Sequence, residues 1–292
     1  INGSLDVFYK QTNDLYFGET PYADGSNFSN SGPANIGSFS TKGIEFSLNA
    51  DVIKRDNLNW NVNFNATKFE RRIDELPAGS DVFFGQAGGT GGTVQIHREG
   101  YTPGSFFVYK QLYSTDGSPI EGAFADLNGD GIINGDDRYI YKNPDPDLVL
   151  GFASSFNYKN FDFSFNMRAS FGNRIYNALK ANRAYNALLK PDAELGNVLT
   201  SVLDTNFTNV NGENVISDIY IENGSFLRMD NITMGYTFPN WLGKASLRLF
   251  TGVQNAFIIT DYDGLDPEIN DGRDNTIYPR QRQFLFGANV KF

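Results

Sequence analysis

The sequence has 292 residues, 15% of them aromatic, with 30 Gly, 26 Phe and 15 Tyr against 24 Lys and Arg together, which is enough chain for one large all-β domain or two smaller ones. A formal charge of −10 without any clustered basic segment excludes a nucleic-acid partner, whose phosphates need neutralising, and the lack of cysteine removes disulfides, thiolate metal sites and a Cys nucleophile. No run of about 18 apolar residues occurs, so a membrane-spanning helix is excluded and water or a barrel remains.

No signal peptide opens the chain: residues 1–10 read as the start of a strand, so a barrel reading implies a fragment or a mature chain missing its front. Period-two alternation, which sends successive side chains to opposite faces of a strand, begins noisily at 5–17. It sharpens at 44–52, where Ile44, Phe46, Leu48, Ala50 and Val52 alternate with Glu45, Ser47, Asn49 and Asp51. In 59–66 the apolar set is Trp60, Val62, Phe64 and Ala66, and the other face carries Asn59, Asn61, Asn63 and Asn65. Asparagine is a poor strand former, so four on one face point to a hydrated surface that uses their amides.

Shorter alternating stretches follow at 93–99, 105–113 and 148–158. Then comes the clearest one: Phe161, Phe163, Phe165, Met167, Ala169 and Phe171 against Asp162, Ser164, Asn166, Arg168 and Ser170. Eleven residues is about what a tilted strand needs to cross a bilayer. Residues 174–190 instead place Ile175, Ala178, Leu179, Tyr185, Leu188 and Leu189 near one stripe, which predicts one helix inside a long loop. Strands resume at 226–238, 245–259 and 281–292, making about ten in all.

The connections alternate in length: short at 54–57, 100–104, 159–160 and 239–244, long at 18–35, 72–92, 114–147, 172–224 and 261–280. Short periplasmic turns and long extracellular loops are the rule for bacterial barrels. The fold class expected is therefore an all-β transmembrane antiparallel β-barrel. A soluble sandwich explains alternation, but its outer face would favour Lys, Glu and Thr over Asn and Ser.

One constellation specifies a ligand by spacing. Residues 126–137 reproduce an EF-hand calcium loop, with Asp126, Asn128 and Asp130 at the first, third and fifth places, Gly131 at the sixth for the sharp turn, and Asp137 at the twelfth. Ile132 would offer its carbonyl to a structural Ca2+. The alternative is an Asx/Gly-rich loop whose side chains bond its own backbone. His97 is the only histidine and reads as an ordinary surface or lumen residue. The glycine run 88–93 lacks the Lys-Ser/Thr of a phosphate loop, and the carboxylates of 261–274 read as a solvated outer loop. None of these sets is a catalytic constellation, so no enzyme is expected.

The order of local motifs resembles the C-terminal part of the SusC/RagA-type TonB-dependent outer-membrane transporters of Bacteroidota. It runs through Asn35-Ile36-Gly37, Thr41-Lys42-Gly43-Ile44-Glu45, residues 100–110, the 126–138 loop, Asn143-Pro144 and Gly172-Asn173. Phe226-Leu227-Arg228 and Gly235-Tyr236-Thr237-Phe238-Pro239 follow. The most specific stretch is Gln254, Asn255 and Phe257, then Tyr262, Gly264, Asp266, Pro267 and Glu268. The final strand, with Phe284, Phe286, Ala288, Val290 and a terminal Phe292, resembles a barrel assembly signal.

The resemblance implies that 1–292 is the C-terminal portion of a 22-stranded barrel whose plug domain is absent from this chain. It implies a multi-pass protein of the bacterial outer membrane, surrounded by lipid and lipopolysaccharide. A SusD-like surface lipoprotein would cover its outer mouth, and the TonB complex would act through the missing N-terminal part. Its cargo would be an oligosaccharide or peptide nutrient, with Asn61, Asn63, Asn65, Asp162, Asn166 and Arg168 lining the lumen. A passive pore, or a stand-alone structural or binding barrel, is the competing reading.

Overall fold

The computed structural model describes residues 1–21, 31–35, 37–76, 81–87, 91–189, 197–208, 212–275 and 278–292, without the side chains of 17–21 and 31–34. Its framework is an antiparallel sheet of eight strands in chain order: β1 (Asn2–Thr12), β2 (Ser38–Arg55), β3 (Leu58–Glu75), β4 (Leu148–Tyr158), β5 (Phe161–Phe171), β6 (Phe226–Trp241), β7 (Ala245–Thr260) and β8 (Gln283–Lys291). Two or three residues join β2 to β3, β4 to β5 and β6 to β7, whereas the other four connections are long. All short turns therefore lie at one end of this wall and all long loops at the other. β1 and β8 are its two edges.

Cross-strand pairing shows why these residues form a wall. One row runs Leu5, Phe46, Ala66, Leu150, Ala169, Leu227, Ile259, and the next runs Leu48, Phe64, Phe152, Met167, Met229, Phe257. Every member is apolar. The face carries a hydroxyl at Ser154, which accepts a hydrogen bond from Trp60 Nε1 at 2.9 Å. Toward the short turns it becomes aromatic, with Tyr158, Phe161 and Tyr236 paired across three strands and Phe238 packed edge-on against Tyr236.

The opposite face is polar in register. A row of carboxamides crosses all eight strands as Asn2, Asn49, Asn63, Ala153, Asn166, Asn231, Gln254 and Gln283, with a single alanine among them. The row beside it is Asp51, Asn61, Ser155, Ser164, Thr233 and Gly252. Where alternation would slip, bulges restore it: Met229 and Ile232 lie three apart yet both keep the apolar face, because a register shift at Asp230 absorbs the extra residue.

The buried core lies in the long loops. Val82–Gln86, Thr93–His97, Ser105–Tyr109 and Arg138–Ile140 form a four-stranded sheet, and Arg174–Asn177 lies between Ile221–Asn223 and Arg273–Asp274 in a three-stranded one. Phe106, Val108, Tyr109, Phe124, Tyr176, Tyr185, Val215 and Tyr220 pack into one cluster between them. Full burial of such side chains contributes roughly 1.5–3 kcal/mol each, which lets the loops form a cap with its own core.

Three expectations are corrected here. The stretches 93–99 and 105–113 are cap strands, so the wall has eight strands among the described residues, not ten. Every residue of Ser105–Tyr109 is buried, and five residues are too few to cross a bilayer. The 100–104 turn accordingly sits in the cap, where Gly100 N–H donates to Ile73 O at 2.8 Å at the long-loop end of β3. The predicted helix begins only at Ala178 and ends at Arg183, followed by a 3-10 turn at Asn186–Leu188. Ile175 and Tyr176 are drawn into strand pairing with Glu222 and Ile221 instead, and Asn177 caps the helix by accepting from Lys180 N–H at 2.9 Å. Lys190, Ile36 and residues 88–90 of the glycine run lie outside the described residues.

Candidate functional site: a charged clasp above the polar face

The polar face carries the six residues predicted to line the lumen. Asn61 and Asn63 share a network with Asn49 and Asp51, in which Asn49 Nδ2 donates to Asn63 Oδ1 at 2.6 Å and Asn61 Nδ2 donates to Asp51 Oδ1 at 3.0 Å. Asp162 accepts both forks of Arg248 at 2.9 and 2.6 Å, and Arg168 donates to Asp230 at 3.0 Å. Two ion-pair rows thus bracket a belt of mostly uncharged Asn, Ser and Thr side chains.

Just above the Arg168 row, charges converge from the wall and from the last long loop. Arg228 of β6 is 2% exposed and binds Asp266 through Nη2 at 2.5 Å. Arg280 binds the other Asp266 oxygen at 3.0 Å and Glu268 at 2.8 Å. Glu268 in turn receives both Nη groups of Arg168. Asn255, held at φ 50°, accepts from Arg228 Nη1 at 2.9 Å and donates to the Arg280 carbonyl at 3.0 Å. Three guanidiniums face three carboxylates, so the set is neutral as a whole. Bidentate guanidinium–carboxylate geometry fixes orientation as well as charge.

The clasp corrects the solvated reading of 261–274 at Asp266, Glu268 and Asp274, while Asp261, Asp263 and Asp271 are exposed as expected. Asp266 and Asp274 are buried, and Tyr262 O–H donates to Asp274 Oδ2 at 2.7 Å. Burial pushes the Asp274 carboxyl above its ordinary range despite that bond. Beside the clasp lies a cavity of about 250 Å³ lined in part by Pro144, Asp145, Arg168, Phe226, Pro267 and Glu268. Alternation alone did not single out Arg228, Asp230 or Arg280. The sequence offered Arg228 in a strand and a loop with two carboxylates around one proline, without anything to join them.

The 126–137 loop folds on its own backbone. Asp126 accepts from Gly129 and Gly131 N–H at 2.6 and 2.8 Å, Asn128 Oδ1 from Asp130 N–H at 2.9 Å, and Asp130 Oδ1 from Ile132 N–H at 2.8 Å. Asp137, fully buried, accepts from Leu127 at 2.8 Å and from Asn134 at 3.0 Å. These amides, the Asn134 N–H above all, hold its carboxyl below the usual range against the opposing effect of burial. Among the described residues no three His, Cys, Asp or Glu side chains gather as a metal site.

His97 is not a surface residue of the wall. It ends the cap strand Thr93–His97, packs at a tilt against Phe84 with ring centroids 4.3 Å apart and accepts from Gly104 N–H through Nδ1 at 3.1 Å. Burial, reinforced by the nearby Arg71, lowers its pKa from the ordinary histidine value.

No family model matches the chain. It is 39% identical over 315 residues to the TonB-dependent receptor SusC of Bacteroides thetaiotaomicron, a match that takes in 100% of this chain and 30% of that protein, in its C-terminal part. The TonB-dependent receptor P3 of Formosa agariphila is 34% identical over 329 residues, covering 99% of this chain and 32% of that protein. The chain thus spans about a third of the length of these curated relatives. Among solved structures, the RagAB peptide transporter superposes with a TM-score of 0.75 over 98% of this chain and 33% of that one. The open-open state of the RagAB peptide importer gives 0.77 over 99% and 32%. At 20% identity these likenesses speak to the fold.

Proposed function

Because the chain belongs along its whole length to the SusC-type TonB-dependent receptors, corresponding to their C-terminal part, we propose that it forms barrel wall and outer cap of an importer in the bacterial outer membrane. The observation that carries this reading is the two-sided wall. Two of its rows cross the strands without a polar member, while the buried core of the protein lies elsewhere, in the cap. A sheet with an uncovered apolar face is stable in water only if something covers it, and lipid is the cover that suits strands of this length with long loops at one end.

In the complete protein the wall closes into a 22-stranded barrel, and energy coupling to TonB resides in the part outside this chain. A SusD-like lipoprotein covers the cap, and the cargo is an oligosaccharide or a peptide. The amide belt supports a neutral polar path, since carboxamides both donate and accept. The chain acts by binding and positioning and carries no catalysis.

Calcium in 126–137 rests on spacing and donor chemistry. Asp126, Asn128, Asp130 and Asp137, with the Ile132 carbonyl, are hard oxygen donors of the kind calcium takes. The oxygens now occupied by backbone N–H groups would turn a second lone pair on the ion.

Uptake of labelled oligosaccharide and of labelled peptide by cells producing the full-length protein, with and without TonB, tests the import reading. Accumulation of one cargo that depends on TonB is the expected result. Equal entry without TonB would make the protein a passive pore.

A further inference from the structure

The last long loop is fastened at two ends by different chemistry. Its cap end is backbone-bonded: Arg273 and Asp274 pair with Tyr176 and Asn177, Tyr176 N–H donates to Gly272 O at 2.8 Å, and Gln95 Nε2 donates to Asp271 O at 2.7 Å. Gly272, at φ +72°, lies so close to Pro144 that no side chain fits between them. Its wall end is held by the charged side chains of Asp266 and Glu268, on Arg168 and Arg228.

The wall itself is irregular at that point. Register shifts occur on both sides of Asp230, toward β5 and toward β7, and Asn255 takes the left-handed conformation opposite it. Bulges commonly re-aim side chains next to functional sites. Arg228 Nε is buried without a hydrogen-bond partner, 3.7 Å from Glu268 Oε2. Buried ion pairs are seldom the most stabilising way to fill a space, and their best-attested use is to fix a register or a switch. Two register shifts, a left-handed asparagine and a buried ion network thus gather local costs at one spot.

We propose that residues 261–275 are a strap, and that the Arg168–Arg228–Arg280 clasp on Asp266 and Glu268 is its releasable end. Closed, the clasp holds the strap down over the polar face; open, it lets this end of the strap lift and widens the path beside Arg168, while the cap keeps its own ties to the wall at Ile73 and Phe171. The gating half rests on the channel reading above, whereas the latch itself does not.

The test uses the full-length protein in two assays. Hydrogen exchange in detergent compares wild type with Asp266→Asn and Arg228→Met. Amides of 261–275 should exchange about tenfold faster or more while those of β4 and β5 stay as in wild type. Planar-bilayer recordings should then show a larger conductance for both variants. Arg168→Cys with Glu268→Cys, joined by a short bismaleimide in a background whose cysteines outside this chain are replaced by serine, should return it to the wild-type level; this chain itself has no cysteine. Unchanged strap exchange would overturn the latch. Faster strap exchange with unchanged conductance would overturn the gating. Wild-type protein that never enters a bilayer would overturn the channel reading and the gating with it, leaving the latch to the exchange data. Faster exchange throughout the wall would reduce the clasp to a structural tie.

Discussion

Replacing Phe165 by Arg tests the assignment of the two faces at its centre. Phe165 is the fifth residue of the eleven in β5, pairs with Ser154 and Ile232, and its ring lies 5.8 Å from Phe152 and 5.9 Å from Phe163. An arginine on the lipid face near mid-membrane costs about 2–4 kcal/mol, and each lost ring pair adds about 0.5–1.5 kcal/mol. The total expected is about 3–7 kcal/mol. Ser164 is one residue away but pairs with Ser155 and Thr233 on the polar face, beside the Asp162 carboxylate. Arginine there can reach water and should change stability by about 0.5 kcal/mol or less. Urea titration of the full-length protein folded into lipid vesicles measures both. A Ser164→Arg loss equal to or larger than the Phe165→Arg loss would show that the faces are assigned the wrong way round, or that neither meets lipid.

Tyr176→Phe removes the donor to the Val215 carbonyl, a buried 2.7 Å bond; leaving that oxygen unpaired should cost the cap about 1–3 kcal/mol, read as earlier cap unfolding by hydrogen exchange, and no change would place water at that carbonyl. His97 titrates below its ordinary value when folded, so as pH falls past about 6.5 the unfolded chain takes up the proton first. Stability then declines until the folded imidazole protonates too. An imidazolium cannot accept the Gly104 N–H. Thermal unfolding at pH 7.5 and 5.5 should show a cap transition that drops in acid, and His97→Asn should flatten the drop; an unaltered slope would sink the assignment. For 126–137, native mass spectrometry should find one calcium ion that Asp130→Ala removes. Chelation should loosen 114–147 while the wall stays protected. An ordered loop with no ion would make it an Asx/Gly turn.

The two-sided character of the wall was legible in the sequence because alternation is a local consequence of the pleat: Phe161 to Phe171 and the asparagines of 59–65 stand on the faces that their parity assigns. Three of the predicted short connections, 54–57, 159–160 and 239–244, were legible as well, since tight turns need few residues, whereas 100–104 belongs to the cap. Three things were not. Whether 93–97 and 105–109 join the wall depends on what covers their second face, and only the packed cap supplies that cover, with Phe106 and Val108 fully buried. Tyr176 lies in a helical pattern, yet a strand from a segment more than forty residues later outcompetes that preference. The fate of Asp266 and Glu268 was open until the chain folded. A carboxylate in a turn-rich stretch looks solvated from its neighbours, and only the approach of Arg168, Arg228 and Arg280 from three separate places makes it the partner of a buried charge. Parity and turn length act over a few residues and can be read along the chain; ion pairing and burial act through space, so only the tertiary structure decides them.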